Sequence, residues 1–146
     1  MDNFTLLSDE LINSELINVP KADLNNSNII GFYFSGSYCP PCQIFTPILS
    51  EVYTELKNLN KSIEIVFISS DKDKESFDSY YSTMPWLALP YERRDLQLTL
   101  RDAFNVKTVP QLIFINNNLE ILNMNGRQLI ENNKDDIDFI INELGL

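Results

Sequence analysis

Histidine is absent from this chain of 146 residues, and cysteine occurs only twice. The first absence removes every Cys–His nucleophile, every imidazole metal ligand and the commonest general base. With two cysteines and no histidine, a zinc site would lack half its usual ligands, so no metal is expected. Basic residues are also scarce: 11 Lys and Arg stand against 21 Asp and Glu, a formal charge of −10. A phosphate backbone needs clustered cations, so nucleic acid is not an expected partner. The acidity reads as solubility. No run approaches the ~18 apolar residues that a membrane helix requires, so no membrane is expected either. The opening "MDNFTLLSDELINSEL" has early acids and no basic leader, which is not the pattern of a signal peptide. The expected location is the cytoplasm, with the nucleus also open, and there a structural disulfide is disfavoured.

What remains is an ordinary globular composition, 44% hydrophobic and 22% charged. The length suits one domain over residues 1–146. "NIIGFYF" (Asn28–Phe34) and "IEIVFIS" (Ile63–Ser69) are continuous apolar runs that predict strands buried on both faces. Between them Phe45, Ile48, Leu49, Val52 and Leu56 recur at helical spacing, which predicts a helix from about Pro40 to Asn58. Phe77, Tyr81 and Met84 share the face of a second helix started by Asp71–Asp73. "PWLALPYERR" (Pro85–Arg94) reads as irregular, and "DLQLTLRDAFNV" as a short helix ending near Asn105. "QLIFIN" and "LEILNMN" predict an antiparallel hairpin about Asn117–Asn118. Ile137, Ile140, Ile141 and Leu144 mark a last amphipathic helix. Residues 1–27 read as an extension or edge elements, a short helix and an edge strand. The order is that of an α/β fold with a central mixed sheet flanked by helices.

Both cysteines lie in "SYCPPCQIFTP" (Ser37–Pro47), where a buried strand gives way to a helix. Cys39 falls at the junction and Cys42 one turn inside, on the same helical face, so the two sulfurs can meet. Pro40 suits the first helical position, where a missing N–H costs nothing. A helix N-terminus favours thiolate over thiol, and thiolate is the nucleophile of disulfide exchange. Local charge contributes nothing: from Leu24 to Ser50 there is no Asp, Glu, Lys or Arg. Pro40 and Pro41 also lack an N–H, so Cys39 is expected to be a moderately stabilised thiolate, which suits a reductant better than an oxidant. The residues therefore predict a working dithiol, Cys39 attacking and Cys42 resolving, with the Cys39–Cys42 disulfide as the whole redox apparatus and no cofactor.

The same residues resemble the thioredoxin superfamily, and within it the tryparedoxin and nucleoredoxin branch. The resemblance is carried by "FYFSGSYCPPCQIFTPILSEVY", "IVFISSDKDKESFDSYYSTMPWLALPYE", "FNVKTVPQLIFIN" and "NGRQLI", in that order, over about Ile29 to Ile130. It implies the thioredoxin fold and a thiol–disulfide oxidoreductase. It also implies that Pro110 is a cis-proline packed against the dithiol, with the Val109 backbone pairing with substrate. Tyr38, Pro40, Pro41 and Trp86 would then border the substrate, although Trp86 is equally readable as packed core. Arg127 could meet an anionic substrate group, the plainer reading being a surface arginine, and Pro47 would kink the first helix. Three residues depart from the family pattern: Tyr38 replaces a tryptophan, Gln43 a basic residue and Tyr33 the buried aspartate of ordinary thioredoxins. The implied partners are disulfide-containing proteins, peroxiredoxins among them. The implied electron donor is a low-molecular-weight thiol or a reductase, with the protein acting as a monomer. The alternative is a redox-switched binding module with little turnover.

Overall fold

The computed structural model describes residues 7–146. Its elements in chain order are β1 (Glu10–Ile12), β2 (Asn18–Pro20), a 3₁₀ helix (Lys21–Asn26), β3 (Ile29–Ser35), α1 (Pro40–Asn58), β4 (Ile63–Ser69), α2 (Lys74–Tyr81), β5 (Leu87–Ala88), α3 (Arg94–Ala103), β6 (Gln111–Asn116), β7 (Ile121–Asn123), α4 (Gly126–Asn133) and α5 (Ile137–Leu144). The strands form one mixed sheet in the order β2-β1-β5-β4-β3-β6-β7. β3, β4 and β5 run parallel, each step crossed by a helix, and β6 lies antiparallel to β3. This is the α/β architecture the periodicities predict. Parallel pairing needs such a helical crossover, and both faces of these strands are buried as their unbroken apolar runs require.

Alternation along the central strands sends side chains to two interiors. Tyr33, Ile65, Phe67, Leu112 and Phe114 pack with α1, α2, α4 and α5. Phe32, Phe34, Val66, Ile68, Ile113 and Ile115 pack with Leu24 and with Leu100 of α3. Gly31 in β3 is one place where size matters, since a Cβ there would come within 3.1 Å of the Leu112 and Phe114 side chains.

Several boundaries differ from the sequence reading. The N-terminal region contributes an edge strand, β2, and a 3₁₀ helix, and adds a strand the reading lacked, β1, which lies inside the sheet between β2 and β5. The part of that expectation falling on residues 1–6 lies outside the described residues. Pro85–Arg94 is not wholly irregular, because Leu87 and Ala88 pair in parallel with Val66 and Phe67. The second arm of the hairpin stops at Asn123, short of Asn125, and "NGRQLI" opens a helix. Gly126 at its start faces β6 so closely that a Cβ would lie 2.7 Å from the Leu112 carbonyl oxygen. α1 is one helix of 19 residues that continues through Pro47. Among the described residues no helix is long and apolar enough to cross a membrane.

Candidate active site

The dithiol sits at the C-terminal end of β3, where α1 begins. In open sheets with parallel strands this end gathers helix N-termini and loops, and so gathers binding sites. Cys39 is the N-cap residue of α1, with extended backbone angles, and its Sγ accepts the Cys42 N–H at 3.3 Å. Pro40 and Pro41 occupy the first helical positions. They have no N–H, so the amide of Cys42 is the first that can reach the sulfur. On its other side the Cys39 thiol donates to the Val109 carbonyl at 3.6 Å. The Val109–Pro110 peptide is cis. Both cysteines are free thiols, Cys39 8% exposed and Cys42 fully covered.

Burial pushes the Cys42 thiol up to about 11, and its hydrogen bond with Cys39 adds to the shift. The Ser35 hydroxyl and the Gly36 backbone pull the other way. Beneath Cys42 lies a set of buried hydroxyls. Tyr33 and Thr46 are 2.7 Å apart, Thr46 and Tyr80 2.6 Å, Tyr80 and Ser35 2.8 Å, and Ser35 donates to Tyr33 at 3.2 Å. Tyr80 also donates to the Cys42 carbonyl at 3.3 Å. Burial raises the Tyr33 and Tyr80 phenols above their ordinary range.

The loop before Cys39 is pinned by Asp71, itself 3% exposed. Its carboxylate accepts from the Ser37 amide at 2.8 Å, the Ser37 hydroxyl at 2.6 Å and the Ser69 hydroxyl at 2.8 Å. The sequence reading assigned Asp71 only to a helix start; the N-cap of α2 is Asp73, whose side chain accepts the Ser76 N–H. Asp71, Ser35, Thr46 and Tyr80 went unread as site residues. A buried acid directly after "ISS", and a threonine inside the face of α1 that points at the sheet, were the available signals.

Tyr38 is 55% exposed beside the dithiol, Pro40 and Pro41 are exposed, and Ile44 at 67% extends the same apolar shelf. Val109 is half-buried and Pro110 buried against the site. Trp86 is a correction to its placement at the substrate groove. It is 1% exposed and meets Tyr33 and Tyr53 edge-on at 5.9 and 5.6 Å, so it is core. Arg127 pairs with Glu131 one turn along α4 at 2.8 Å and borders a cleft of about 230 Å³ that also touches Thr108 and Pro110. Among the described residues no group of three or more His, Cys, Asp or Glu side chains could hold a metal ion.

Comparison with known proteins is consistent with this geometry. A family model described as thioredoxin-like matches residues 26–121. A probable nucleoredoxin 1 of Arabidopsis thaliana is 43% identical over 109 residues, which are 75% of this chain but 18% of that protein. Human nucleoredoxin is 36% identical over 110 residues, 75% of this chain and 25% of its own length. The chain therefore spans a quarter or less of these two relatives. Among solved structures, tryparedoxin II complexed with glutathionylspermidine superposes with a TM-score of 0.84 at 32% identity, covering 94% of both chains.

Proposed function

The chain belongs to the thioredoxin-like oxidoreductase family, and on that premise we propose that it is a dithiol–disulfide oxidoreductase of tryparedoxin type acting on protein disulfides. The observation that carries the reading is the asymmetry of the dithiol. Cys39 caps a helix, reaches the surface and is met by an N–H donor, whereas Cys42 is covered and held protonated. One sulfur is built to attack and the other to wait.

Cys39 Sγ, as thiolate, attacks one sulfur of a substrate disulfide R–S–S–R′. The Cys39–S–S–R bond forms and R′S⁻ leaves. The proton of Cys42 passes to R′S⁻, and Cys42 Sγ⁻ attacks Cys39 Sγ. The Cys39–Cys42 disulfide forms, RS⁻ departs and takes a proton from water, and two electrons have passed from the dithiol to the substrate. Tyr38, Pro40, Pro41 and Ile44 offer the apolar shelf on which a substrate chain can lie, and the Val109 backbone offers it polar partners. A low-molecular-weight thiol or a reductase then restores the dithiol. A glutathione-based thiol is the first candidate, since the tryparedoxin II relative is recorded in complex with glutathionylspermidine. Peroxiredoxins in the cytoplasm or nucleus are the first candidates among targets.

The test is reduction of insulin with dithiothreitol, glutathione, trypanothione and thioredoxin reductase supplied in parallel. Turnover with at least one donor, abolished by Cys39→Ser without loss of folding, is the expected result. A Cys39–Cys42 disulfide that forms and breaks with no turnover under any donor would replace this reading with a redox-switched binding module.

A further inference from the structure

Cys39 is held at its sulfur by the Cys42 N–H and the Val109 carbonyl. Its main chain is held from the opposite direction, by the loop that joins β3 to α1. Ser35 ends β3 by accepting the Ser70 N–H at 2.9 Å, and the Gly36 carbonyl accepts the Cys39 N–H at 3.3 Å. Between them Ser37 engages each of its polar groups. Its amide and its hydroxyl both donate to one oxygen of Asp71, and its carbonyl accepts the exposed Gln43 side-chain amide at 2.5 Å.

Asp71 ties this loop to the sheet. It follows β4, the parallel neighbour of β3, so its carboxylate bridges the ends of two adjacent strands. One oxygen serves Ser37. The other accepts the Ser69 hydroxyl, whose own oxygen accepts the Asp71 N–H at 2.9 Å. A buried carboxylate is costly unless donors meet it, and a bond to an ionised acceptor is about twice as strong as a neutral one. The main chain of Asp71 is braced in turn. The Tyr91 hydroxyl donates to the Asp71 carbonyl at 3.1 Å, and the Arg94 guanidinium lies 3.9 Å from the centre of the Tyr91 ring. Arg94 also donates to the Tyr91 and Ser69 carbonyls, at 2.6 and 2.9 Å. The acceptor that grips Ser37 is therefore fixed before any substrate arrives.

We infer that Asp71 is a positioning residue for the attack step: through Ser37 it fixes the backbone entering α1, and with it the direction in which Cys39 Sγ meets a docked disulfide. Attack on a disulfide needs the reacting orbitals aligned, and about 1 Å of misplacement can cost about a hundredfold in rate. Without Asp71, Ser37 keeps only the bond from Gln43, an exposed side chain. The bonds are the means, not the charge. An asparagine at 71 can present the same oxygen to Ser37 and place its NH₂ group on the Ser69 oxygen.

The inference rests on the proposed attacking role of Cys39, and the test keeps the two apart. In Cys42→Ser protein the reaction stops at the mixed disulfide, so the rate of adduct formation with insulin reports attack on a docked substrate. Alkylation by iodoacetamide, a small reagent that can approach the sulfur in many orientations, reports the reactivity of Cys39 without docking. Asp71→Ala in this background should form the insulin adduct about a hundredfold more slowly and be alkylated at the parent rate. Asp71→Asn should restore adduct formation. Ser37→Ala, which keeps the amide bond to Asp71 and so preserves folding, should slow it about tenfold, the effect of one hydrogen bond to a charged group. Adduct formation at the parent rate in folded Asp71→Ala, or in Ser37→Ala if Asp71→Ala does not fold, would overturn the positioning role alone. So would adduct formation and alkylation falling together, or Asp71→Asn behaving as Asp71→Ala does. The expected pattern in a protein that turns over insulin with no donor would support the positioning role and overturn the proposed function. A parent protein that forms no insulin adduct through Cys39 would overturn both.

Discussion

Alternate residues of β3 lead into two different interiors. Phe32 and Phe34 enter a cluster made entirely of leucine, isoleucine, valine and phenylalanine. Tyr33, one residue away, enters a cluster that holds both cysteines, Trp86 and the tyrosines Tyr53, Tyr80 and Tyr81. The hydrocarbon side is what the hydrophobic effect alone would build, and it anchors the sheet. The other side buries polar atoms as well, and the ring of Tyr33, Ser35, Thr46 and Tyr80 bonds its four hydroxyls to one another. The polar side is also the side on which α1 delivers the dithiol. One sheet therefore separates stability from chemistry by the direction in which a side chain points.

If that separation holds, Phe34→Ala should cost about 3–5 kcal/mol of stability in denaturant titration, the range for emptying an aromatic site in a core. The folded fraction should still reduce disulfides at the wild-type rate; a matching loss of rate would show that the two sides are not independent. The next effect is one of pH. The unfolded chain gives up the Cys42 proton near the ordinary thiol value, whereas the reduced folded protein holds it up to about 11. Stability from this group is therefore intact below about pH 8.5 and lost as the pH climbs toward 11, on the order of 3 kcal/mol in total. Cys42→Ala should lack that component of the alkaline decline, as read from unfolding curves across the range. The smallest expected change is in Tyr33→Phe, which removes one hydroxyl from the ring and leaves Thr46 one partner short. About 1 kcal/mol of stability should go in denaturant titration, with attack by Cys39 untouched.

The long elements were legible because their signals are long. β3, β4 and β6 are apolar runs of six or seven residues, and α1 and α5 repeat apolar residues at helical spacing. The junction of β3 and α1 put Cys39 and Cys42 at a helix start from sequence alone, and the family resemblance supplied the cis bond before Pro110. β5 escaped because two residues between Pro85 and Pro90 have no periodicity; its strand exists through pairing with β4 and β1. α4 escaped because a glycine opens it, and only the fold reveals that the Leu112 carbonyl leaves no room for a Cβ there. Trp86 between prolines could be read as groove or core, and contact with Tyr33 and Tyr53 decides for core. The hydroxyl ring could not be read at all. Its members come from β3, α1 and α2, and each alone is an unremarkable serine, threonine or tyrosine.

The central claim is the division of labour between the two sulfurs, and trapping tests it most directly. Cys42→Ser and Cys39→Ser proteins are each incubated with an oxidised protein substrate, and the adducts are sized and mapped by mass spectrometry. The account predicts a stable mixed disulfide through Cys39 in Cys42→Ser and none in Cys39→Ser. An adduct through Cys42 in the Cys39→Ser protein, at a comparable rate, would contradict it.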